Sequence, residues 1–397
     1  MSEDLSPLPI LDSVTEYEKI CRIGEGTYGI VYKARHRGTG DVVALKKVGF
    51  NRARDGIPVT SMRELRVLQE TCHPNIVRLL KVVTGSKPDS VFLVFEFCQH
   101  DMGRLLDTMP RPFTHQEVKS LMKQLLAAVD HCHQRWVMHR DIKMSNLLYT
   151  NTGHLKLCDL GLARYFQPFP AVMTPRVVTL WYRAPEVLLG AEVYDEAVDM
   201  WSVGCVFGEL LRHAPLFPAK TELECLKLHC ELLGTPTPSI WKGIEELPHY
   251  KTLRLPEQPY NYVKQKLGKA AGGSQAALDL LNRMLMYDPS KRITAAQALR
   301  HPFFTERPYP LLPPDMPTFP NNNQGHHQDP HMHTSQPSLP QRHQHHDGRQ
   351  HPYHSQFHIQ SHKRPYPGSQ QGLRNQHDAK RLRQADQDRR FGDAFGG

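Results

Sequence analysis

His139, Arg140, Asp141, Lys143 and Asn146 fall within the eight residues HRDIKMSN, and Asp159-Leu160-Gly161 begins thirteen residues after Asn146. These residue types at this spacing suit transfer of a phosphoryl group to a hydroxyl. Asp141 can orient the attacking hydroxyl and accept its proton. Lys143 can offset charge on the moving group, while Asn146 and Asp159 can hold a magnesium ion. Alone, HRD is a tripeptide that chance also supplies, and aspartates commonly cap turns. The motif gains meaning only from its surroundings.

Upstream, residues 17–50 alternate in strand fashion around glycines. Gly24, Gly26 and Gly29 form G-x-G-x-x-G, with Val31 two residues beyond. That pattern is weak evidence by itself, and a dinucleotide fingerprint would set its last glycine at the start of a helix. Here Ile30-Val31-Tyr32 continues as a strand, so the loop is expected to join two strands and lay backbone N–H groups over phosphates. The next strand holds Val43-Ala44-Leu45-Lys46. A lysine in an apolar strand is costly to bury unpaired, so Lys46 needs an anion: nucleotide phosphates or a helix glutamate.

Residues 58–70 predict a helix opened by Pro58, with Val59, Met62, Leu65 and Leu68 along one stripe. Glu64 lies beside that stripe within reach of Lys46, against the ordinary alternative of a solvated carboxylate. Two more strands, RLLKVV and SVFLVFEF, lead through Phe95-Glu96-Phe97-Cys98 to a polar connection. Five strands and one helix are too few for a large core, so this lobe must lean on the rest of the chain.

Beyond that connection the chain reads as helical. Thr114 and Glu117 form a capping box, and Val118, Leu121, Met122, Leu125, Leu126 and Val129 recur at helical spacing. A second apolar helix runs from Asp199 to Leu211, with further helical stretches over 221–233, 275–287 and 294–300. Between Asp159 and Ala184-Pro185-Glu186 the chain has prolines and no clear period, as a mobile activation segment would.

With these motifs in order, residues 17–304 resemble a eukaryotic protein kinase. The resemblance implies an α+β, bilobal fold. An N-terminal extension (1–16) would precede an antiparallel five-stranded N-lobe with one regulatory helix (17–98), a mainly helical C-lobe (99–304) and a disordered tail (305–397). It implies ATP and Mg2+ as cofactors. Asp141 would be the catalytic base beside Lys143, Asn146 and Asp159 the metal ligands, and Lys46–Glu64 an ion pair. ATP would lie against Ile23, Gly24, Glu25, Gly26, Gly29, Val31, Ala44 and Lys46, with its adenine on backbone groups around Glu96 and Cys98. Arg292 would pair structurally with Glu186.

The finer resemblance is to the cyclin-dependent kinases, on GEGTYG, on PVTSMRE (Pro58–Glu64) at the cyclin-binding helix position, and on VVTLWYRAPE (Val177–Glu186). A MAP kinase would need Thr-x-Tyr in the activation loop, whereas Thr174 precedes Pro175-Arg176. DGIPVTSMRE, QPYNYVK and MPTFP look most like the tenth and eleventh types, with the elongation-type kinases acting on RNA polymerase II next. The resemblance implies a cyclin partner that moves Glu64 toward Lys46, and an activating phosphate on Thr174, added by an activating kinase or by the chain itself. Arg63, Arg140 and Arg164 would bind that phosphate. Thr27 and Tyr28 match inhibitory phosphosites, and Val178 and Arg183 match a segment favouring proline after the phosphorylated Ser or Thr. Leu160 departs from the usual Phe of Asp-Phe-Gly; it can fill the pocket but loses the aromatic contact.

Composition sets outer bounds. The 397 residues are 39% hydrophobic and 22% charged, which suits a globular protein with some disordered length. Apolar runs are too short or interrupted to span a bilayer, and the acidic N-terminus has no signal-peptide core, so no membrane association is expected. Eight scattered cysteines without a CxxC pair suit reduced thiols; Cys225 and Cys230 beside His229 allow a metal site, but core thiols are the expectation. From about Pro310 the chain turns to Pro, Asn, Gln and His, too poor in aliphatics to offset ordering entropy. Lys363-Arg364 and Lys380-Arg381-Leu382-Arg383 resemble a bipartite nuclear-import signal, which predicts a nuclear protein, with a cytoplasmic pool allowed. The tail, with 11 Lys and Arg against 8 Asp and Glu over 305–397, carries +3 of the net charge of +9, and direct nucleic-acid binding is not expected as the main function. A kinase-fold scaffold acting through the tail is the alternative from another functional class.

Overall fold

A computed structural model of the chain describes residues 12–26, 29–48, 59–85, 90–166 and 179–320, with the side chains of residues 12, 25 and 59–64 outside the description. In the small lobe, β1 (Asp12–Ser13), β2 (Tyr17–Gly26), β3 (Gly29–His36), β4 (Val42–Val48), β5 (Leu79–Thr84) and β6 (Val91–Glu96) form one sheet in the order β1-β5-β6-β4-β3-β2, and α1 (Val59–Glu70) joins β4 to β5. The five longer strands are antiparallel. The two-residue β1 was not foreseen; it adds parallel to β5 at the sheet edge.

Strand alternation sorts the side chains of β4. Val43 and Leu45 pack with Tyr17, Ala34, Val83, Phe92 and Val94 in a core on one face, which turns Ala44 and Lys46 to the other face, over the interlobe cavity. At the β2–β3 turn Gly29 takes φ +142°, and a Cβ there would strike the Lys47 carbonyl oxygen. Only glycine fits that close approach.

The large lobe begins with β7 (His100–Asp101), α2 (Met102–Thr108) and α3 (His115–His133). The capping box is present: Glu117 N–H donates to Thr114 Oγ1, and Thr114 N–H donates to Glu117 Oε2. Short strands come next as β8 (Val137–Met138), β9 (Leu147–Tyr149), β10 (Leu155–Leu157) and β11 (Arg164–Tyr165), paired as β10-β9-β7 and β11-β8. Then come α4 (Pro185–Leu188), α5 (Ala197–Arg212), α6 (Glu222–Leu233), α7 (Val263–Leu267), α8 (Gln275–Met284) and α9 (Ala295–Leu299). α5 is buried continuously from Ala197 to Leu210, which makes it the centre of this lobe. One apolar core crosses between lobes: Val67, Leu68 and Ile76 join it from the small lobe, and Leu160 and the α3 stripe from the large.

Cys225 and Cys230 are buried in the large lobe, where the Cys225 thiol lies 3.5 Å from His229 Nε2. Among the described residues, no helix is long and apolar enough to cross a membrane. The expected disordered tail needs correction at its start. Residues 305–320 are a strap packed on the large lobe, with Met316 buried, Leu311 N–H donating to Gln116 O, and Tyr149 OH donating to Pro317 O at 2.5 Å. The strap is poor in aliphatics, but tertiary contacts order it.

Candidate active site

The loop from β8 to β9 carries Asp141, and its backbone is hung on one buried carboxylate. Asp199, at the start of α5, accepts from His139 N–H and Arg140 N–H at 2.8 Å and pairs with His133 Nε2 at 3.0 Å. Burial alone would raise the Asp199 pKa; the His133 hydrogen bond and charge, with the other donors, outweigh it and hold the carboxyl below its usual range. Arg140 is held at φ +63°, in the left-handed region that non-glycine residues seldom occupy. Its guanidinium is fixed by Leu162 O and Tyr194 OH.

So anchored, Asp141 is 6% exposed and hydrogen-bonded on both oxygens. Oδ2 accepts from Lys143 Nζ at 2.8 Å and Asn146 Nδ2 at 3.0 Å. Oδ1 accepts from the Thr179 N–H and hydroxyl, each at 3.2 Å, and Lys143 also donates to Thr179 Oγ1 at 3.0 Å. Across the cleft Lys46 Nζ reaches Asp159 Oδ1 at 3.3 Å. Asp159 also has left-handed backbone, φ +64°. Leu160 beside it is 1% exposed, in the apolar core.

Between the lobes lies a cavity of about 580 Å³, within the usual size of a small-molecule site. Its lining includes the expected Ile23, Gly24, Gly29, Val31, Ala44, Lys46, Glu96 and Cys98, and the ligand candidates Asn146 and Asp159. The Glu96 carboxylate is turned to Lys156 Nζ at 2.7 Å and Arg78 N–H at 2.8 Å, and the Glu96 N–H donates to Arg78 O at 3.1 Å. An apolar slot with phosphate-facing lysine at one end and an aspartate beside an asparagine can hold a nucleotide and orient its terminal phosphate.

A family model described as "Protein kinase domain" matches residues 17–304. The chain is 50% identical over 310 residues to the "Probable cyclin-dependent kinase 10" of Dictyostelium discoideum, covering 78% of this chain and 84% of that protein. It is 48% identical to the mouse "Cyclin-dependent kinase 10", covering 78% and 85%. It is 46% identical over 313 residues to the human "Cyclin-dependent kinase 11B", covering 79% of this chain and 39% of that protein. The chain belongs to the cyclin-dependent kinases.

The protein kinase family implies use of ATP and Mg2+. The donor set here fits magnesium, a hard cation bound by oxygen and usually completed by phosphate and water. Asn146 spends its Nδ2 on Asp141 O and Oδ2, leaving Oδ1 as the ligating end, and Asp159 supplies the anionic oxygen.

Other expected residues of this kinase fall elsewhere. Arg164 pairs with Met138 across β11 and β8, near Arg140. Thr27, Tyr28, Thr174 and Val178 lie outside the described residues, as do the side chains of Glu25, Arg63 and Glu64. Arg183 is engaged with Glu222 at 2.7 Å, and the Glu186–Arg292 pair is formed. Thr179, Asp199 and Leu148 escaped sequence reasoning. Leu148 lines the cavity between buried Leu147 and Tyr149; all three are apolar, so no alternation in the sequence singles out the middle one. Two thiols also line the cavity. Burial, then the Glu96 charge, pushes Cys98 up to about 12, and burial likewise raises Cys158. Both stay neutral and poor nucleophiles.

Proposed function

We propose that this cyclin-dependent kinase transfers the γ-phosphate of ATP to serine or threonine followed by proline in nuclear proteins of transcription or cell-cycle control, once a cyclin has engaged α1. The main support is that Lys46, Asn146 and Asp159 line one interlobe cavity while Asn146 and Lys143 both hold the Asp141 carboxylate beside it. Asp141 orients the substrate hydroxyl and takes its proton, while Thr179 and Asn146 hold the carboxylate still. Lys143, 2.8 Å from Asp141, lies where it offsets charge on the phosphoryl group in transit. Lys46 holds the nucleotide phosphates, and Asn146 and Asp159 ligate magnesium. Bound there, the ion neutralises charge on the phosphate oxygens. The relatives' names favour the tenth and eleventh types over the elongation type. Proline preference and nuclear residence rest on the resemblance at Val178 and Arg183 and on the two basic clusters of the tail.

Replacing Asp159 by Asn tests this directly. Transfer from ATP to a Ser-Pro peptide should vanish while the melting temperature is retained. Activity surviving in that variant would remove the assignment.

A further inference from the structure

Gln99 and His100 continue the cavity wall beyond Cys98. Behind them sits Asn151, in the turn between β9 and β10. Its main-chain N–H donates to Gln99 Oε1 at 3.3 Å, and its side-chain Oδ1 lies 3.0 Å from His100 Nε2. That amide is also paired with the strap: Phe319 N–H donates to Asn151 Oδ1 at 3.0 Å, and Asn151 Nδ2 donates to Phe319 O at 2.9 Å. An amide oxygen only accepts, so His100 must donate from Nε2. One asparagine therefore ties residue 319 to residues 99 and 100.

The Phe319 ring completes the clip. It meets His100, Phe113 and Tyr149 edge-on, with centroids 5.9, 6.1 and 5.8 Å away, a favourable arrangement for aromatic pairs. Upstream, Gly153 takes φ +78°, and a Cβ there would strike the Pro313 carbonyl oxygen. The turn bearing Asn151 is thus shaped to receive the strap.

We propose that Asn151 and Phe319 are positioning residues for the nucleotide cavity, the strap acting through Asn151 to hold the Gln99–His100 wall in place. This rests on the cavity being the ATP site. A bound nucleotide meets a preset wall and need not order it on binding. Releasing the clip weakens ground-state and transition-state binding of nucleotide alike, so KM for ATP rises while kcat stays.

The test is the Kd of the full-length chain for magnesium and the non-hydrolysable ATP analogue AMP-PNP, measured alongside the melting temperature. Asn151→Ala, which removes the side-chain hydrogen bonds to His100 and Phe319, and Phe319→Ala, which removes the ring contacts and leaves the main-chain bonds, should each raise Kd roughly three- to tenfold, the scale of about one net hydrogen bond. Phe319→Tyr, which keeps the ring, should bind as the unaltered chain does. If Asn151→Ala fails to fold, Phe319→Ala decides the matter, since that side chain is only half-buried. Unchanged Kd in the alanine variants, with melting temperature alone lowered, would make the strap merely structural and overturn the inference. An unaltered chain that binds no nucleotide would overturn it together with the proposed function.

Discussion

Thr179 gives Asp141 two of its hydrogen bonds, one from the main chain and one from the hydroxyl. Thr179→Val keeps the shape and the main-chain bond and deletes the hydroxyl. A hydrogen bond to a charged group is worth about 1.5–3 kcal/mol, so kcat should fall roughly ten- to hundredfold with KM for ATP unchanged, as steady-state kinetics would show. The grouping of Asp141, Lys143 and Asn146, with Asp159 close by, was legible because those residues sit on one loop and its close neighbour at fixed spacing. Thr179 was not, because its contact with Asp141 joins residues 38 apart, and a threonine has no spacing rule that announces it. Asp199 was read as the start of an apolar helix; its role appears only where two backbone amides of another segment point at it.

At the scale of elements, hydrophobic period and caps located the longer helices to within a few residues, as in α3 with its capping box and α5 with its buried length, whereas the short α2, α4 and α7 were not foreseen. Composition misled at the strap, where polar and proline-rich sequence is ordered by contacts with Asn151, Tyr149 and Gln116. The firmest tie between elements is Arg292 to Glu186. Their side chains are 0% and 4% exposed, and the two Nη atoms meet the two carboxylate oxygens at 2.7 and 2.9 Å. Met286, Ala197 and Tyr287 carbonyls accept the remaining guanidinium donors. Arg292→Ala would strand a buried carboxylate, which costs about 3–5 kcal/mol. Chemical denaturation should show that loss, and a change below about 1 kcal/mol, the worth of a typical exposed pair, would mean that Glu186 finds other partners.

For the molecule as a whole, pH acts at buried histidines: His229, which burial and then the Arg292 charge lower to about 3, and the pair where α3 meets the segment after α1. His131 and His73 meet there with tilted rings, centroids 4.8 Å apart, and Arg135 Nη1 lies 3.1 Å from His131 Nδ1. Burial, then the charges of Arg135 and His73, lowers His131 from 6.5 to about 4. The unfolded chain takes up this proton near pH 6.5 and the folded chain only near 4. Its contribution to stability is therefore complete above pH 6.5 and is lost as pH falls through that window. His131→Phe, which cannot titrate, should make the decline of melting temperature between those limits shallower, leaving the share of His73 and His229; an equally steep decline would place the sensitivity in other groups.

Transfer to Ser/Thr-Pro sites by this kinase is proposed to depend on a cyclin partner. The most direct measurement recovers the tagged full-length chain from nuclear extract, identifies its partners by mass spectrometry, and assays the same eluate on a Ser-Pro peptide and its Ser-Ala counterpart. A cyclin should be present in the eluate, with phosphate on the Ser-Pro peptide alone. Equal transfer to both peptides, or an eluate with neither cyclin nor transfer, would contradict the proposal, and the second result would favour a scaffold built on a kinase fold.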